Sequence, residues 1–196
     1  MKLLQLQKRS MALAGMLMTV YLILHMLTNL SFFSESRFSQ FYNWYNSGVA
    51  RWIVLILIVA SLYIHIKAAI RIRMVNAKAR TVGYKKHDKF HMPAILVTLS
   101  IVFLFAFIAV HVFQTLSFDP CDVYGELILQ FQSLWMVLFY LAGLFVLMMH
   151  LQHSLANVLQ TLGKTSLTCK GLVLVGCLLL TAGFAVIPLY IYSVMP

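Results

Sequence analysis

Five apolar runs, each long enough for a helix to cross a bilayer, divide this chain. A hydrocarbon core of about 30 Å takes roughly 20 residues of helix. The runs fall at residues 11–32, 52–74, 93–116, 133–159 and 171–194. The predicted fold class is therefore all-α: an integral membrane bundle of five transmembrane helices, forming one membrane domain over residues 1–196. Composition agrees. The chain is 62% hydrophobic and 10% charged, whereas about a quarter of a soluble domain is charged. The N-terminal MKLLQLQKRS is basic and leads into the first run as a secretory signal would. That run lacks a small-residue cleavage site and contains His25, so it reads as a retained first helix. Pro93 suits a first helical turn, where its missing N–H is not needed. Pro188 should kink the fifth helix.

The net charge of +10 raises the question of nucleic acid, and position answers it. Five spans put the N-terminus, the loop after the second span and the loop after the fourth on one side. That side carries 13 of the 15 basic residues; only Arg37 and Arg51 lie on the other. Four of the five acids, Glu35, Asp119, Asp122 and Glu126, also lie on that other side. The positive-inside rule then predicts a cytoplasmic N-terminus for this multi-pass chain, and the expected location is a bacterial-type cytoplasmic membrane. The charge reads as a topology signal, not a nucleic-acid surface. The basic loop over residues 74–89 also suits an acidic cytoplasmic partner or anionic membrane lipid.

Histidine interrupts four of the apolar runs. An imidazole facing lipid costs free energy with nothing to offset it, so an intramembrane histidine marks a site. The first and third spans run outward. At 1.5 Å per residue, His25 lies about 21 Å and His111 about 27 Å from the cytoplasmic edge. The second and fourth spans run inward. His65 lies about 20 Å and His150 about 25 Å from the outer edge. Two pairs result, His25 with His111 in the outer half and His65 with His150 in the inner half. Their mean levels differ by about 16 Å. Facing histidines on bundle helices are how an axially ligated haem is held, and two sets at different depths would stack two haems across the membrane. Zinc fits less well, because no acid or compact ligand set lies in the spans. Cys121, Cys169 and Cys177 have no CxxC spacing and there is no CxxCH, so covalent haem attachment is not expected. Taken singly, any of these histidines fits a helix–helix hydrogen bond as well as a ligand.

His153 lies three residues past His150, about 4.5 Å deeper toward the cytoplasm. It reads either as a hydrogen-bond partner of a haem propionate or neighbouring helix, or as a polar residue near the membrane edge. His87 and His91 read as solvated residues of the basic loop. Arg9, Ser10, Lys67 and Arg71 are placed to reach anionic propionates on the inner side. Lys67 and Arg71 are i, i+4 and equally fit a plain basic face. On the outer side only Arg37 and Arg51 offer positive charge.

The segment over residues 122–163, DVYGELILQFQSLWMVLFYLAGLFVLMMHLQHSLANVLQTLG, resembles the fourth-helix region of a known family. That family is the single-chain, dihaem cytochrome b subunit of succinate:quinone oxidoreductases and fumarate reductases. HMLTNLSFF at His25 is similar to its HLxGNL helix end, with Thr28 where Gly is usual. YIHIKAAIRIR at His65, and KFHMP followed by FIAVHVF at His111, resemble its second and third helices. The likeness runs from about Lys8 to Gly163. It implies axial ligands to two haems b at His25, His65, His111 and His150, with the ligand in the fourth helix being the first histidine of HLQH. It also implies a subunit of an enzyme that binds no dicarboxylate itself. In that role the chain anchors a flavoprotein and an iron–sulfur subunit on the cytoplasmic face, in complexes that are often dimers. Electrons would pass between the iron–sulfur clusters, the inner haem, the outer haem and a quinone, menaquinone or ubiquinone. Some members carry a glutamate two residues before the fourth-helix ligand, linked to proton movement; Met148 stands there in this chain.

A quinone needs hydrogen-bond donors at a lipid-accessible edge. Asn29, Gln40, Tyr42, Trp44 and Asn46 are candidates on the outer side, and Ser10, His153 and Lys67 on the inner. The aromatics over residues 41–45 also read as an interfacial belt. A reading of a different class remains open: a non-enzymatic transporter whose histidines form a proton or metal path.

Overall fold

The computed structural model describes residues 2–79, 94–161 and 166–195. Among these the chain is helical, with no strand. Five helices are long and apolar enough to cross a membrane, as expected: Leu4–Phe33, Ala50–Ala79, Thr98–Ser117, Leu134–Leu159 and Leu167–Val194. A multi-pass membrane protein is consistent with this set.

The elements in chain order are α1 (Lys2–Leu30), a 3-10 turn (Ser31–Phe33), α2 (Glu35–Ser47), α3 (Ala50–Ala79), α4 (Ala94–Ser117), α5 (Val123–Phe131), α6 (Leu134–Thr161) and α7 (Leu167–Val194). The spans expected at 11–32, 52–74 and 171–194 are each longer at the end now seen as α1's start, α3's finish and α7's start. Those extra turns carry basic or polar residues, which a hydropathy reading leaves out although a helix continues readily into the interface. Pro93 lies outside the described residues. Pro188 is buried inside α7, which continues through it.

Two short helices were not anticipated. In α2, Phe38, Tyr42 and Tyr45 recur at i, i+4, i+7, which is helical spacing. Phe38 is fully buried, while Arg37, Gln40 and Trp44 are exposed. This is the pattern of a helix lying along an interface. α5 begins at Asp122, whose carboxylate accepts from Gly125 N at 2.9 Å. That cap satisfies one of the N–H groups that a helix start leaves without a partner.

The chain divides into two compact units, and each is described by itself. The first takes the described parts of Met1–Ile23 and Gly48–Pro93, that is, most of α1 with α3. The second takes Leu24–Ser47 and Ala94–Pro196. In the first, Ala14 and Ala68 are buried, and a Cβ on Gly15 of α1 would stand 3.4 Å from the His65 ring of α3, so the missing side chain leaves room for that ring. In the second, Gly143 on α6 leaves room for the Phe107 ring of α4, and Gly183 on α7 for Met26 of α1. An aromatic cluster closes one end: Phe32 stacks on Tyr124 at 4.7 Å and meets Phe38 edge-on at 5.7 Å.

Apolar side chains face outward along every long helix, among them Leu13, Ile56, Phe105 and Leu179. In water such patches would be a liability; in lipid they are the solvated surface. Hydroxyls within the helices donate back to the preceding turn, as Thr19 does to Gly15 O (2.9 Å), Ser61 to Leu57 O (2.7 Å) and Thr181 to Cys177 O (2.9 Å). No hydrogen-bonding solvent exists at that depth, so this is how a hydroxyl is satisfied there.

Candidate functional site

The His25–His111 pair is brought together within the second unit. His25 projects from the last turns of α1 and His111 from α4. Their ring centres are 5.9 Å apart with an interplanar angle of 61°. Ring centres this close would let one metal ion take a nitrogen from each ring at metal–nitrogen distances of about 2 Å. Aromatic rings wall the pair: Phe184 lies 5.5 Å from His25, and Phe107 stacks on His111 at 6.3 Å and 20°.

His111 is oriented by a side chain that sequence reasoning passed over. Its Nδ1 is 3.3 Å from the Tyr140 hydroxyl on α6. That hydroxyl donates its own proton to Gln114 Oε1 at 2.8 Å. Its oxygen is therefore the acceptor for His111 Nδ1–H, which makes Nε2 the nitrogen with the lone pair. Ligating histidines are commonly held this way, with the remote N–H given to an acceptor. Gln114 and Tyr140 stand as polar residues inside apolar spans, and Gln114 is i+3 to His111. Both are signals that an intramembrane polar residue has a partner to find.

His65 sits in the first unit. Its Nδ1 donates to the Met11 carbonyl at 3.1 Å, and the same tautomer follows. Gly15 beside it admits the ring. His150 lies half-buried on α6 in the second unit. Their own surroundings thus locate these two residues separately, one in each unit. His153 is exposed, and its Nε2 accepts from Asn157 Nδ2 at 3.0 Å. Donation from Asn157 occupies that lone pair.

The residues suggested for anionic groups are spread along two helices of the first unit. Arg9 and Arg71 are exposed. Ser10 donates to Leu6 O at 3.0 Å, and Lys67 reaches the Tyr63 hydroxyl at 3.4 Å. His87 and His91, and most of the basic loop, lie outside the described residues.

Among the quinone candidates, two meet. Tyr42 donates to Asn29 Oδ1 at 2.7 Å. Asn46 instead caps a carbonyl, that of Pro120, at 3.5 Å. Gln40 and Trp44 share the exposed face of α2, one turn apart. Met148 lines an apolar groove between α6 and α7, with Leu144, Phe145, Leu178 and Thr181. The position offers no carboxylate.

No family model, no curated protein and no solved structure matches this chain.

Proposed function

We propose that this chain is the cytochrome b membrane-anchor subunit of a succinate dehydrogenase or fumarate reductase, carrying electrons between iron–sulfur clusters and membrane quinone through two haems b. The observation that supports this reading most is the His25–His111 pair, 5.9 Å apart on two helices, with His111 held through Nδ1. His25 and His111 would hold one haem, and His65 and His150 the other. When bound, haem supplies one-electron redox chemistry at a fixed depth in an insulator.

The chain's own residues do the rest. The Tyr140 hydroxyl and the Met11 carbonyl fix the tautomers of His111 and His65. Phe107 and Phe184 exclude water from the first pair. Arg9, Ser10, Lys67 and Arg71 are the groups suited to propionates at the cytoplasmic side. Asn29 and Tyr42 form the polar pair best suited to orient a quinone oxygen, with the Asn29 amide as donor. A flavoprotein and an iron–sulfur protein would dock on the cytoplasmic face.

A visible spectrum of the purified protein tests the reading. Low-spin, bis-histidine haem b at two haems per chain is the expected result. A protein that contains no haem after expression with adequate haem supply overturns it, and leaves the transporter with a histidine proton or metal path.

A further inference from the structure

Tyr140 is buried, and its ring is fixed by Phe131 at 4.8 Å, Phe107 at 5.4 Å and Phe139 at 5.9 Å. Its hydroxyl has one proton, and Gln114 Oε1 takes it, while Gln130 of α5 is a further hydrogen-bond partner of the phenol. The Gln114 amide is set in that direction because its Nε2 donates to Met136 Sδ at 3.5 Å. A chain of donors therefore runs one way, from His111 Nδ1 to Tyr140 to Gln114. Its consequence is electronic as well as steric. An imidazole that gives its N–H to a strong acceptor becomes a more basic ligand, and a more basic ligand favours ferric over ferrous iron. A phenol oxygen is a weaker acceptor than an amide carbonyl. His65, whose Nδ1–H goes to the Met11 carbonyl, receives the stronger push; His111 receives the weaker.

We infer that Tyr140, oriented by Gln114, is a positioning residue that fixes the tautomer and rotation of His111 and thereby tunes the reduction potential of the iron bound between His25 and His111. This rests on the haem reading above.

Redox titration of Tyr140→Phe, followed optically and by EPR, tests the inference. The two haems are first assigned with His25→Ala. Loss of the acceptor should shift the reduction equilibrium of the His25/His111 haem toward the ferrous form by about tenfold, which for one electron is 59 mV. The other haem should not move. The low-spin ferric EPR signal of the affected haem should shift as the imidazole rotates. Gln114→Leu, which weakens the phenol as an acceptor without removing it, should give a smaller shift of the same sign. Selective loss of the His25/His111 haem in Tyr140→Phe also supports the role. Unchanged potential and EPR signal with both haems bound, or an equal shift in both haems, overturns it. If Tyr140→Phe loses both haems, the protein has misfolded, and the titration of Gln114→Leu decides by the same criterion. A wild-type protein without haem overturns the function and the inference together; two haems with no shift overturns the inference alone.

Discussion

His150 and His153 share one helical face, three residues apart, yet they differ in exposure. His153 is exposed, and its Nε2 accepts from Asn157. His150 is half-buried, a turn nearer the middle of α6. Depth counting in the sequence separates the two on a different ground, the expected level of His150 with His65. Replacing His150 with Ala should lose one haem of two, whereas His153→Ala should keep both; pyridine haemochrome quantitation reads the difference. If His153→Ala loses a haem and His150→Ala does not, the ligand in this helix is the second histidine. The Tyr140 and Gln114 partners of His111 were not singled out beforehand. Sequence spacing gives their helical positions, but which residue of α6 meets which of α4 depends on how the two helices cross.

At the scale of elements, the close approach of α4 and α6 is set by one missing side chain. The Phe107 ring occupies the space over Gly143, and the same ring stacks on His111. Gly143→Ala should force the ring to shift, at a cost of about 1–3 kcal/mol typical of overpacking. Thermal unfolding in detergent should fall accordingly. Haem content should drop at the His25/His111 site in preference to the other, because the displaced ring bears on His111. The short helices α2 and α5 belong to this scale too. The five long spans were legible because 20 apolar residues have few alternatives. A helix of 9 or 13 residues leaves a much weaker trace. Its apolar stripe is short, and its stability comes from contacts such as Phe32 with Tyr124 and Phe38, which sequence does not display.

For the whole molecule, charge asymmetry carries two expectations. Thirteen of 15 basic residues on one side predict a cytoplasmic N-terminus and, after five spans, an external C-terminus. Alkaline phosphatase fused after residue 195 should be active, and fused within the loop after α3 inactive; the reverse pattern would invert the topology. The same asymmetry acts on redox potential. Lys67, Arg71 and Arg73 follow His65 on α3, and nearby positive charge favours the reduced form of a haem. If the proposed function holds, the haem assigned to His65 should therefore titrate at the higher potential, against the opposing push of the Met11 carbonyl on His65. A redox titration that finds this haem lower would mean that ligand hydrogen bonding outweighs the field of the cationic residues.

Sequence by itself determined the helical class and the number of helices long and apolar enough to cross a membrane. These follow from one-dimensional quantities: run length against bilayer thickness, and rise per residue. The tertiary structure decided that His25 and His111 meet at bond-compatible spacing, that Nδ1 of His111 is given to Tyr140 and Nδ1 of His65 to Met11, and that Gly143 and Gly15 are where rings are admitted. Those outcomes depend on rotation about each helix axis and on the crossing of helices. Both are set by packing between residues far apart in the chain, and an apolar run facing lipid on most sides records neither.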